Sequence, residues 1–80
     1  MYGLHMGTNN TAVVTATKRN ILFQILDQDI SQAALATKAG IPTSTFHRKI
    51  HKPATFTIGE LGSIAEALDV PLEDIIKDAA

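Results

Sequence analysis

Between Ser31 and Ile50 the sequence reads SQAALATKAGIPTSTFHRKI. This stretch constrains the chain more than any other, because its residues specify two short helices joined by a tight turn. Ser31 suits the N-cap position, where a hydroxyl accepts from an orphan N–H of the first helical turn. Ile30 and Leu35 are spaced to staple that start. Leu35, Ala36 and Ala39 share one helical face. Gly40 follows where a helix ends best on a left-handed residue that lacks Cβ. Pro42 cannot continue the first helix but is tolerated at the start of the next. Phe46 and Ile50, four apart, give the second helix a buried edge. Thr43, Ser44, His47 and Arg48 make its other face polar.

Eighty residues allow one domain. A chain of that size buries only about 60% of its unfolded surface, so the core must be efficient. Absence of cysteine excludes disulfides and thiol chemistry. No apolar run approaches the roughly 20 residues of a membrane span. The N-terminus lacks the basic and apolar segments of a signal peptide. A cytoplasmic protein is expected.

The formal net charge is −1, which by itself argues against a nucleic-acid partner. Its distribution argues the opposite. Residues 31–56 hold Lys38, Arg48, Lys49 and Lys52 with no acid, whereas residues 57–80 hold Glu60, Glu66, Asp69, Glu73, Asp74 and Asp78 against Lys77 alone. A local basic patch is the electrostatic footprint of a DNA-binding face.

Elsewhere the chain reads as follows. Residues 1–16 show no sustained period and are expected to form a disordered arm, with Met6 a second candidate start; residues 17–80 form the domain. Thr17 is the expected N-cap of a first helix over 18–28, with Ile21, Leu22, Ile25 and Leu26 as its apolar stripe. Phe23 lies off that stripe. Asp27-Gln28-Asp29 ends the helix. The segment HKPAT is a loop. Thr57 and Glu60 then spell a capping box, with Phe56 and Leu61 as its staple. Leu61, Ile64, Ala65 and Leu68 carry a fourth helix. Gly62 inside it costs up to about 1 kcal/mol relative to alanine, for which a close helix crossing is a reason. Asp69-Val70 is a turn. Pro71 opens a short fifth helix with Glu73 and Asp74 in its first turn, favourable for the helix dipole. Its Leu72, Ile75 and Ile76 offer more apolar surface than docking needs, hence a candidate homodimer interface.

Two blocks carry a family resemblance. Gln32, Leu35-Ala36, Gly40-Ile41, Ser44-Thr45 and the pair Phe46/Ile50 resemble the helix-turn-helix of Xre-type regulators, the lambda-repressor-like and Cro-like domains. Downstream, TIGELGSIAEALDVPLEDII is similar to that family's fourth and fifth helices, so the likeness covers residues 18–77. Pro42 departs from the usual Ser or Thr cap, and Lys49 stands where many members are apolar. The resemblance implies an all-α, five-helix fold with the helix-turn-helix at helices 2 and 3. The second motif helix enters the major groove, where its N-terminal side chains meet base edges. Carried onto this sequence, Thr43, Ser44, His47 and Arg48 are the expected base contacts. Arginine suits the paired acceptors of guanine, and hydroxyls bond several bases. Gln32, Thr45, Lys49 and Lys52 are the expected phosphate contacts, which position without specifying.

The function implied is a double-stranded DNA-binding transcriptional regulator. It is most like a small phage or prophage Cro-type repressor that acts by operator occupancy, and it is expected to be a homodimer that can form on the DNA. The rival is a protein-interaction module, either an antitoxin or a helix-turn-helix domain whose acidic C-terminal half is its working surface. His47 and His51 have a zinc-compatible spacing, but no third ligand accompanies them, so no metal is expected. Neither a nucleophile triad nor a phosphate loop is present, and neither enzyme activity nor a cofactor is expected.

Overall fold

The computed structural model describes the backbone of residues 2–78 and the side chains of residues 11–78. Along the chain run α1 (Tyr2–Asp27), α2 (Gln32–Ala39), α3 (Thr43–His51), a 3₁₀ turn (Pro53–Thr55), α4 (Ile58–Leu68) and α5 (Leu72–Ile76). Among the described residues there is no strand. The expected all-α, five-helix architecture is the one that forms.

Local chemistry sets most of the boundaries. Ser31 Oγ accepts from the Ala34 N–H at 3.0 Å and starts α2. At α4 the capping box closes in both directions: Glu60 N–H donates to Thr57 Oγ1 at 3.0 Å, and Thr57 N–H donates to Glu60 Oε1 at 2.9 Å. Pro42 and Pro71 precede α3 and α5 without a side-chain cap. Three helices end alike, on a left-handed residue: Asp29 (φ 55°), Gly40 (φ 74°) and Asp69 (φ 60°). In each case the next N–H reaches back over a full turn, Ile30 to Ile25 O, Ile41 to Ala36 O and Val70 to Ala65 O, at 2.9–3.1 Å. These are Schellman ends, and each is followed by an apolar residue that turns back toward the core.

One core joins the helices. Ile21 of α1, Leu35 and Ala36 of α2, Phe46 and Ile50 of α3, Leu61, Ile64, Ala65 and Leu68 of α4 and Ile75 of α5 are buried together with Ile41 and Phe56. The Phe46 and Phe56 rings lie 5.9 Å apart and tilted by 57°, within the range of favourable aromatic pairs. Two amides tie α1 to helix ends whose carbonyls lack intrahelical partners. Asn20 Nδ2 donates to Ile75 O at 2.9 Å and Lys77 O at 2.8 Å, and Gln28 Nε2 donates to Leu68 O at 2.8 Å.

Several expectations need correction. The first helix starts at Tyr2, not after Thr17, and runs to Asp27. Thr17 is buried inside α1, and its hydroxyl donates to Val13 O at 2.8 Å. A threonine hydroxyl can satisfy itself in this way within a helix, which makes it an ambiguous start signal. Leu26 does not face the core but is 80% exposed, and the off-stripe Phe23 is 59% exposed. Gly62 faces open space, with nothing within 4 Å of where its Cβ would sit, so no close crossing requires it. On α5, Ile75 is wholly buried, while Leu72 and Ile76 pack against the core. That helix therefore has little apolar surface left over.

Candidate nucleic-acid interface

The polar side of α3 forms one continuous face. Buried Phe46 and Ile50 fix the rotation of the helix. Thr43, Ser44, His47, Arg48 and His51 are consequently exposed together, as the helical spacing of those positions demands. All of the expected base contacts lie on this face. His47 and His51 meet edge to face with ring centroids 5.0 Å apart. Among the described residues no group of three or more His, Asp or Glu side chains could hold a metal ion.

The expected phosphate contacts are not all equivalent. Lys52 is exposed at the C-cap of α3 and lines an open recess of about 470 Å³ with Arg48, His51 and Thr55. The Thr55 hydroxyl donates to Lys52 O at 2.7 Å and holds the corner of that recess. Thr45 is half-buried. Gln32 is half-buried in the first turn of α2, and its Oε1 is buried without a hydrogen bond from the chain. Such an oxygen carries a desolvation cost.

Lys49 is engaged differently. Its ammonium donates to both carboxylate oxygens of Glu60, at 2.7 and 2.9 Å, and its side chain is only 15% exposed. Glu60 thereby serves two elements: it closes the cap of α4 and anchors α3. The Lys49 ammonium, followed by the Thr57 N–H, holds the Glu60 carboxyl below its ordinary value of 4.5, against the opposing effect of burial. Charge-assisted bonds of this kind exceed neutral ones in strength. They also tie α3 to the first turn of α4.

Three further residues lie beside the expected contacts. Glu60 was read only as a cap, and its partner lies 11 residues away, with nothing in local spacing to reveal it. His51 and Thr55 join the recess beside Arg48 and Lys52. The spacing of Arg48 and His51, three apart on one helix, was the available signal for the first of them.

The family model described as Cro/C1-type HTH DNA-binding domain matches residues 21–80. No curated protein and no solved structure matches the chain. Among the described residues, no helix is long and apolar enough to cross a membrane.

Proposed function

The chain belongs to the Cro/C1-type helix-turn-helix DNA-binding domain family, a DNA-binding regulator by that membership, and from this premise we propose that it is a sequence-specific repressor. It acts by occupying an operator and excluding the transcription machinery, in the manner of a small phage or prophage Cro-type protein. The observation that carries this reading is the composition of the exposed face of α3: two hydroxyls, two imidazoles and the Arg48 guanidinium, with no acid.

Arg48 reads guanine through a bidentate pair, and Thr43, Ser44 and His47 complete the base contacts. Lys52 and Thr45 take phosphates, as does the amide of Gln32 from the start of α2. Lys49 belongs to the fold rather than to the DNA, because its ammonium is held by Glu60. A single module of this size buries limited surface on DNA, which favours a two-fold dimer. Its two α3 helices would sit one turn apart, about 34–36 Å, on a pseudo-palindrome.

Selection from random duplexes followed by gel-shift titration tests the proposal. The expected result is an enriched pseudo-palindrome with half-sites about 10 base pairs apart. Binding that is indifferent to sequence, or a protein partner captured while no duplex is enriched, would refute it in favour of an interaction module.

A further inference from the structure

We infer that the outer face of α1 is a self-association surface, on which a second copy of this chain packs antiparallel about a two-fold axis at Phe23. This deepens the dimeric reading above by naming the surface, and it assigns that role to α1 rather than to α5.

A helix on the outside of a domain normally presents a polar face to water. In α1 the buried side is set by Ala16, Thr17 and Ile21. The opposite side carries Thr15, Arg19, Phe23 and Leu26, of which the last two are largely exposed, while Leu22 at its edge packs against the core. Phe23 stands as a ridge between two recesses. One, of about 470 Å³, is lined by Thr15, Lys18, Arg19, Leu22 and Leu26. The other, of about 360 Å³, lies toward Asp74 and Lys77 of α5.

An isologous contact requires a surface that matches its own copy about a dyad. Charge supports the same occupant. Arg19, Phe23 and Asp27 form one i, i+4, i+8 row. When the row is paired antiparallel about Phe23, each Arg19 lies level with the partner's Asp27. In that register Leu26 lies level with the partner's Asn20, and the two Phe23 rings meet at the axis. A parallel pairing would instead set Arg19 against Arg19 and Asp27 against Asp27. Arg19 is available for the exchange, because its pairing with Asp78, at 3.8 Å, is long and exposed.

The expected strength follows from size. Residues 12–27 span about 22 Å of helix with a face about 10 Å wide. That places the contact at the small end of specific interfaces, below about 1,200 Å² in total. The dimer should therefore form in the micromolar range and be easy to miss in dilute solution.

Sedimentation equilibrium of the full chain without DNA, from roughly 10 to 500 μM, tests the surface. Wild type is expected to pass from monomer to dimer within that range. Asp27→Arg and Leu26→Lys should each weaken association by at least about tenfold, and Arg19→Asp should do the same. The double variant Arg19→Asp, Asp27→Arg should regain most of the wild-type association, which a general loss of solubility or folding would not produce. Unchanged circular dichroism confirms that these exposed sites leave the fold intact. A chain that stays monomeric throughout, or a dimer insensitive to all of these substitutions, overturns the inference. The two readings fail separately. A dimer through α1 that selects no operator sinks only the repressor, and operator binding by a dimer that ignores Asp27→Arg sinks only this surface.

Discussion

Helices α1 and α3 both lie on the outside of the domain, and both are held by a few buried apolar residues. Their outer faces have opposite chemistry. On α3 the exposed positions are Thr43, Ser44, His47, Arg48 and His51. Those of α1 include Phe23 and Leu26. The anchors differ as well. Neutral amides tie α1, with Asn20 and Gln28 donating to the terminal carbonyls of α5 and α4. An ion pair ties α3, from Lys49 to Glu60. Burial accounts for where each helix sits, but only the exposed face and the type of anchor show what each is suited to meet. A polar, cationic face suits phosphates and base edges, whereas an apolar one suits another protein surface.

The contrast breaks most severely at the buried side of α3. Phe46→Ala should cost about 3–5 kcal/mol. That is a large share of the roughly 5–15 kcal/mol that holds a domain together. Thermal unfolding should show a collapsed or absent transition, with both outer faces lost together. A near-normal melting temperature would mean that α3 is docked by something other than its aromatic contact with Phe56.

Substitutions on the outer face should separate the two functions. Arg48→Ala should leave the melting temperature in place, cost about 1–3 kcal/mol on a selected operator and relax preference at one base pair. Lys52→Ala should weaken all duplexes similarly and lower the salt slope by about one unit. Equal losses on operator and random DNA for Arg48→Ala would move it among the phosphate contacts. Substitutions at Phe23 should alter neither property of a single half-site complex.

How much of this was legible in sequence depended on distance along the chain. Ser31, Gly40 and the Thr57–Glu60 box act within one helical turn, and their cues translated directly into observed helix ends. The left-handed stops at Asp29 and Asp69 were read only as polar turns, because Asp adopts that conformation less often than glycine. Thr17 misled because a hydroxyl serves equally as a cap or as a donor to the preceding turn. Leu26 misled because its stripe, as read, was wider than the face α1 actually buries. Asn20 reaches carbonyls 55 and 57 residues away, and no local pattern announces such a bond. The polar face of α3 was legible because two apolar residues four apart define its rotation. The engagement of Lys49 was not, since it depends on how α3 lies beside α4.

Helix α4 lies between these contrasts and offers a smaller test. Gly62 has room for a Cβ. Gly62→Ala should therefore stabilise the domain, by up to about 1 kcal/mol, through better helix propensity and a less flexible unfolded chain. An increase in the denaturation midpoint is the expected outcome. A decrease would show that α4 crosses a neighbour more closely than the open space at Gly62 indicates.

The finest distinction lies between the two anchors, and pH addresses it directly. The Glu60 carboxyl titrates below its ordinary 4.5 in the folded chain, chiefly because the Lys49 ammonium and the Thr57 N–H bind its charged form. A depressed folded value means that the unfolded chain takes up the proton first. The stabilisation is thus fully present above about 4.5 and is lost as pH falls through the lower, folded value. Partly exposed ion pairs contribute only about 1 kcal/mol or less, so the global effect should be small. Its location is the informative quantity. Protonating Glu60 releases Lys49 and one arm of the capping box, which loosens α3 and the first turn of α4 together. Asn20 and Gln28 do not titrate, so the hold on α1 should persist. Amide hydrogen exchange, with intrinsic rates corrected for pH, should show protection falling in α3 and at the start of α4 before it falls in α1. Glu60→Gln should abolish that difference while leaving exchange in α1 as in wild type. If α1 and α3 lose protection in parallel, the ion pair does not set the position of α3, and the supposed difference in anchoring between the two helices has no energetic content.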